Sequence, residues 1–223
     1  LVFLSRWFSK AERSRANTFL ILGNPATILW MSILSGYLIH SVGWRWMFIF
    51  EGVPALIWAF LWWRLVVDKP GDAKWLTKNE KDDLQAQLDL EQQSIKPVKN
   101  YAEAFRSRIV ILLCLQYALW SIGVYGFVMW LPSIINDAPD SDIIKTGWLA
   151  SVPYLLAIIG MLTASYFSDK TLNRKSFIWP FLLIGSLAFY GSYLIGTRNF
   201  WLSFVLLVIS GGAMYAPYGP FFA

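Results

Sequence analysis

Residues Trp46–Val67 read WMFIFEGVPALIWAFLWWRLVV, with Glu51 and Arg64 as the only charged side chains in the run. A helix of about 20 residues rises about 30 Å, which matches the hydrocarbon thickness of a bilayer. Lipid offers no hydrogen-bond partner to an open strand edge, so a single run of this kind can cross a membrane only as a helix. Working outward, five more such runs follow the same reading: Ala16–Ile39, Ile109–Ile135, Gly147–Phe167, Phe177–Gly196 and Phe200–Phe222. The chain is 57% hydrophobic, and a soluble core of that composition would not gather its apolar residues into segments of membrane-spanning length. The fold class expected is therefore all-α, a polytopic membrane bundle with six complete spans.

The basic residues decide the orientation. Between the runs they fall as four (Arg6, Lys10, Arg13, Arg15), one (Arg45), nine (Arg64 to Arg108), one (Lys145), three (Lys170, Arg174, Lys175) and one (Arg198). They alternate, with sixteen on one side and three on the other, the distribution expected when Lys and Arg are retained in the cytoplasm. Loops 9–15, 68–108 and 168–176 are predicted to be cytoplasmic and the protein to lie in a bacterial inner membrane. The net charge of +5 then belongs to juxtamembrane loops that meet anionic headgroups, and no nucleic-acid partner is expected. The single cysteine, Cys114, lies inside a span, so there is no disulfide framework.

The one long polar segment, 68–108, carries a helix-start signal. Thr77 stands three residues before Glu80, the spacing of a capping box, and predicts a helix from Lys78 to Gln93. Leu84 and Leu88 share a face, which suits either a surface-lying amphipathic helix or a solvated connector, and Pro97 ends the helical reading.

Three motifs carry a resemblance. The first is the turn Arg6-Trp7-Phe8-Ser9-Lys10-Ala11-Glu12-Arg13-Ser14-Arg15-Ala16. Next comes Gly43-Trp44-Arg45-Trp46-Met47-Phe48-Ile49-Phe50-Glu51-Gly52, followed by Asp68-Lys69-Pro70-Gly71-Asp72-Ala73-Lys74-Trp75-Leu76. The last is Ser165-Tyr166-Phe167-Ser168-Asp169-Lys170-Thr171-Leu172-Asn173-Arg174-Lys175, in which Ser165 and Leu172 stand in place of common glycines. Together they resemble the anion:cation symporter family of the major facilitator superfamily, twelve-helix transporters built from two six-helix halves. The resemblance implies that residues 1–67 hold the end of helix four with helices five and six, that 68–108 is the cytoplasmic central loop, and that 109–223 holds helices seven to ten. On that reading the chain is a fragment, inactive by itself, and its partners include the remaining helices of the same parent.

Polar side chains at mid-membrane are costly unless they face a cavity or a partner, so each is a candidate for function. Asn24, beside Pro25, and Gln116 sit where the family's sugar-acid members carry substrate-contacting amides. Trp120 lies one turn beyond Gln116 on the same helical face, an apolar wall beside a polar anchor. Tyr125, Tyr215 and Tyr218 complete the expected substrate-binding set. Tyr117 lies near that face as Tyr125 does, and ordinary packing explains both equally well, while Gly211-Gly212, Pro217 and Pro220 mark the last span as bent and close-packed. Asp169, Lys170, Arg174 and Lys175 are the resemblance's cytoplasmic gate, or residues that only fix topology. Glu51, the one carboxylate well inside a span, is a possible proton site or a packing residue of the Trp-Arg-Trp-Met-Phe signature.

No metal-ligand cluster, phosphate-cradling glycine loop or nucleophile–base pair is present, so no cofactor, metal or enzyme activity is expected. The function expected from the resemblance is proton-coupled symport of a small organic anion, a sugar acid of the hexonate or hexuronate type, by a monomeric transporter. The alternatives are uptake of another carboxylate, such as tartrate or an aromatic acid, and a non-transporting membrane sensor or scaffold on the same fold. The family's proton-binding carboxylates and substrate arginine lie on helices one and four, outside this chain.

Overall fold

The computed structural model describes residues 3, 7, 8, 10–94, 105–136, 138, 141–171 and 173–222, with side chains left undescribed at 10–15, 91–94 and 197. The predicted end of the loop helix at Pro97, the residue Leu172 and the side chains of loop 9–15 lie outside the described residues. Among the described residues eight α-helices run in order: α1 Lys10–Val42, α2 Trp44–Leu65, α3 Lys78–Ser94, α4 Arg108–Asn136, α5 Ile143–Thr171, α6 Trp179–Ile195, α7 Phe200–Tyr215 and α8 Tyr218–Phe222. Six segments among them are long and apolar enough to cross a membrane, and each coincides with a predicted run to within a few residues. The multi-pass, all-helical reading is correct.

Turns are made where the sequence permits them. Gly43, with φ of 83°, is the whole link between α1 and α2, a left-handed conformation that side chains other than glycine rarely adopt. The Asp142 carboxylate accepts from the Lys145 amide at 2.7 Å and Asn199 Oδ1 accepts from the Leu202 amide at 3.1 Å, which caps the starts of α5 and α7. Prolines 25, 54, 132 and 153 sit inside helices that continue past them.

Lipid is as apolar as leucine, so burying hydrophobic surface cannot by itself bring these helices together; close backbone approach must do so. The most extensive contact is antiparallel, between α1 and α5. At one end Gly147 lies so near Ser32 that a Cβ on it would stand 2.5 Å from the Ser32 carbonyl oxygen, and Gly36 faces the Ile143 carbonyl in the same way at 3.0 Å. At the other end Thr18 of α1, Ser165 of α5 and Gly219 of α8 meet, with no room for a side chain at 219. The α5–α7 contact uses Gly211 against Pro153 and Gly212 against Leu156, and Phe127 of α4 also closes on Gly211. Helices α6 and α7 add polar stitches: Ser210 Oγ donates to the Gly185 carbonyl at 3.0 Å, and the Ser192 and Ser203 hydroxyls bond at 2.8 Å. Around these seams sits the core of Phe127, Leu131, Ile135, Tyr154, Ala157 and Leu207.

Helix α2 is different. Only Met47 is buried, while Phe48, Leu56, Trp58 and Trp63 are exposed on its surface. Glu51 is held by the Ser35 hydroxyl of α1, which ties the two helices together.

The capping box at the start of α3 forms as read. Thr77 donates from its amide and hydroxyl to Glu80 Oε2, each at 2.8 Å, and the Glu80 amide donates back to Thr77 Oγ1 at 3.4 Å. The helix packs on the Pro70–Asp72 turn, where Ala73 and Leu88 are buried and Lys81 Nζ donates to the Gly71 carbonyl at 3.1 Å. Leu88 is buried and Leu90 is exposed.

Two outcomes follow. Gly147→Val should force α1 and α5 apart, costing about 1–3 kcal/mol of overpacking. It should lower the thermal midpoint of the full-length protein in detergent, whereas Gly52→Ala, with open space around it, should not. The Glu80 carboxyl is held below its ordinary value, first by the Thr77 backbone N–H and then by the Thr77 hydroxyl. A lowered pKa stabilises the helix start fully above the usual carboxylate range and ceases to do so as pH falls through the lowered value. Intrinsic-rate-corrected hydrogen exchange at Lys78–Lys81 should therefore accelerate in strong acid, and Glu80→Gln should show weakened protection already at neutral pH.

Candidate functional site

Helix α1 turns one face toward α4 and the α7–α8 segment, and a cavity of about 390 Å³ lies between them. From α1 come Leu20, Ile21, Asn24 and Ile28; from α4, Tyr117, Val124, Tyr125 and Val128; from the last span, Tyr215, Tyr218 and Phe222. The floor is apolar, and the polar groups are one amide and four phenols. No charged side chain is among these lining residues. Such a wall, mostly hydrophobic with a few convergent hydrogen-bonding groups, is the usual make-up of a small-molecule site, and its volume lies within the usual range.

Each polar group is placed by its helix. Pro25 has no N–H for the carbonyl of Ile21, so the backbone of α1 presents an unserved acceptor one turn before Asn24, and both residues line the cavity. On α4, Tyr117 and Tyr125 are eight residues apart and so share a face. The last span breaks at Pro217. Helix α7 stops at Tyr215 and α8 restarts at Tyr218, and these two tyrosines flank the break with ring centroids 5.6 Å apart. Tyr215 is buried, its ring edge-on to Tyr154 at 5.8 Å.

Four of the expected binding residues, Asn24, Tyr125, Tyr215 and Tyr218, are therefore brought together. Gln116 and Trp120 are not part of that lining. They face a second cavity of about 460 Å³, with Leu112, Leu115, Leu119, Gly123, Leu182, Ser186 and Met214. The reason is helical geometry: Gln116 and Trp120 do share a face, as their spacing required, but Tyr117 is rotated 100° from Gln116 and it is the Tyr117 face that looks toward α1. Trp120 stands between the two spaces, buried, its ring 4.3 Å from that of Tyr218. Tyr117, for which ordinary packing was an equal explanation, lines the cavity together with Tyr125, and their eight-residue spacing puts both on that side of α4.

The remaining candidates lie elsewhere. Glu51 faces α1 through Ser35, away from the cavity lining. Asp169 and Lys170 are exposed at the end of α5. Arg174 and Lys175 belong to a short 3₁₀ turn, Arg174–Phe177, that rests on α5, α6 and α8. That turn connects the basic end of the molecule to the helix carrying Tyr218.

Comparison with known proteins matches residues 1–223 to the Major Facilitator Superfamily. Among curated relatives, the chain is 31% identical to a putative tartrate transporter of Agrobacterium vitis over 78% of the chain and 40% of that protein. It is 26% identical to the putative metabolite transport protein NicT of Pseudomonas putida over 100% of the chain and 53% of the relative. To the D-galactonate transporter of Escherichia coli it is 25% identical over 78% of the chain and 42% of the relative. The chain spans about half the length, or less, of these relatives. With a family match along its whole length and six membrane-length helices among the described residues, the chain belongs to the major facilitator superfamily of transporters, and it is not an enzyme.

Proposed function

We propose that the full-length protein is a secondary active transporter that takes up a small organic anion, a sugar acid of the hexonate or hexuronate class, by proton-coupled symport in a bacterial inner membrane. The observation that carries this reading is the cavity between α1 and the α4, α7 and α8 wall, in which Asn24, Tyr117, Tyr125, Tyr215 and Tyr218 converge. An amide and several phenols supply donors and acceptors for a polyhydroxy ligand, and the aromatic faces suit the C–H faces of a sugar chain. Relatives named as tartrate and D-galactonate transporters are consistent with a hydroxylated carboxylate as substrate.

On this proposal α1 and α2 belong to one half of the transporter and α4 to α8 to the other, with 68–108 joining them on the cytoplasmic side. The α1–α5 seam is then the place where the halves meet, and the substrate sits beside it. Asp169, Lys170, Arg174 and Lys175 act at the cytoplasmic end, where charge pairs can break and reform as the halves rock. Glu51 serves packing through Ser35.

The test is uptake of radiolabelled hexonates and hexuronates into proteoliposomes holding the full-length protein, with and without an inward proton gradient. Uptake should be gradient-driven, and Asn24→Ala should lower kcat/KM about tenfold with folding intact, the loss of one hydrogen bond in a buried site. Gln116→Ala, on the neighbouring face, should retain most of the uptake. Absence of gradient-driven uptake across a broad panel of organic anions would overturn the symport reading.

A further inference from the structure

The break in the last span places Tyr215 and Tyr218; Ala216 keeps helical dihedrals, its amide donates to the Gly212 carbonyl at 3.1 Å and the Phe221 amide to the Pro217 carbonyl at 2.9 Å. Pro217 has no N–H, so the carbonyl of Ala213 loses the donor a continuous helix would supply, and α7 ends at Tyr215. Only two residues, Ala216 and Pro217, join it to α8. Both flanking tyrosines line the cavity, so a contact from outside the span that adds to these local bonds bears on the shape of the site.

Trp120 makes such a contact from α4. Its indole Nε1–H donates to the Met214 carbonyl at 3.0 Å, on the last turn of α7, in a buried hydrogen bond across 94 residues of sequence. The same ring lies against Tyr218, the first residue of α8, at 4.3 Å and a 42° tilt, and meets Phe221 edge-on at 5.6 Å. One side chain therefore grips both sides of the break, by a directional bond on one and by ring contact on the other. Trp is the residue type that can do both: Phe has the ring without the donor, and a buried carbonyl that loses its donor has no water to replace it.

We propose that Trp120 is a positioning residue of the transport site: it braces the α7–α8 break and thereby sets the angle at which Tyr215 and Tyr218 face Asn24. It acts from behind the cavity wall and does not itself touch substrate. The inference rests on the Asn24 cavity being the substrate site, and it assigns to Trp120 a role different from the direct contact expected from the sequence.

The experiment compares the unsubstituted full-length protein with Trp120→Phe and with Trp120→3-benzothienylalanine, which keeps the two-ring shape and replaces only the N–H by sulfur. Two readouts are taken. The first is the fluorine NMR signal of 3-fluorotyrosine at position 218 in ligand-free protein. The second is KM and kcat for uptake of a hexonate in proteoliposomes.

In the benzothienyl variant, which preserves packing and so folds, the 218 signal should shift or split. KM should rise about tenfold with kcat essentially unchanged, the signature of lost ground-state binding geometry. Trp120→Phe should shift the signal in the same direction. A 218 signal that stays put in the benzothienyl variant, or a fall in kcat without a rise in KM, would overturn the brace. If the unsubstituted protein takes up no organic anion, the transport reading fails, while the ligand-free fluorine spectra still decide whether Trp120 sets the break.

Discussion

In hydrocarbon every backbone amide must find its partner inside its own helix, and that single requirement shapes the rest of this structure. It makes each long apolar run a helix, and the lipid around them, as apolar as their side chains, removes hydrophobic burial as the force between helices. What remains is contact at short range. Gly36 and Gly147 let α1 and α5 touch backbone to backbone, Gly211 and Gly212 of α7 receive the side chains of Pro153 and Leu156 of α5, and Gly219 receives Ser165. Where a helix has no such seam, as in α2, its large side chains stay exposed.

The cavity is a consequence of where those seams fall. Helix α1 is drawn tightly to α5 on one side, and its other face is left looking across at α4 and the last span. Proline then introduces backbone irregularity beside that space: Pro25 next to Asn24, and Pro217 between Tyr215 and Tyr218. Irregular backbone at membrane depth is tolerated only where it borders a cavity or is braced by protein, and both conditions are met here. The α7–α8 break borders the cavity on one side and is held by the Trp120 indole on the other.

Much of this was legible in the residues. Six apolar runs became six helices because length and composition are local properties, and the Thr77–Glu80 spacing became a capping box because it needs only one turn of chain. Asn24 with Tyr125, Tyr215 and Tyr218 could be collected because polar groups at mid-membrane are few. What could not be read was which face of α4 looks toward α1. Gln116 and Tyr117 differ by 100° on the same helix, and that choice is made by tertiary contacts: the Phe127 ring against Gly211, and Trp120 against Met214 and Tyr218. The role of Gly147 was likewise invisible, since a small residue in an apolar run declares itself only through the Ser32 backbone it meets.

The central claim is that substrate occupies the space between Asn24 and the Tyr215–Tyr218 break. The most direct measurement is a structure of the full-length transporter with a bound hexonate. The account predicts ligand density in contact with Asn24 and at least one of Tyr215 and Tyr218, on the α1 side of Trp120. Density confined to the Gln116 side of that indole, or outside the helices altogether, would contradict it.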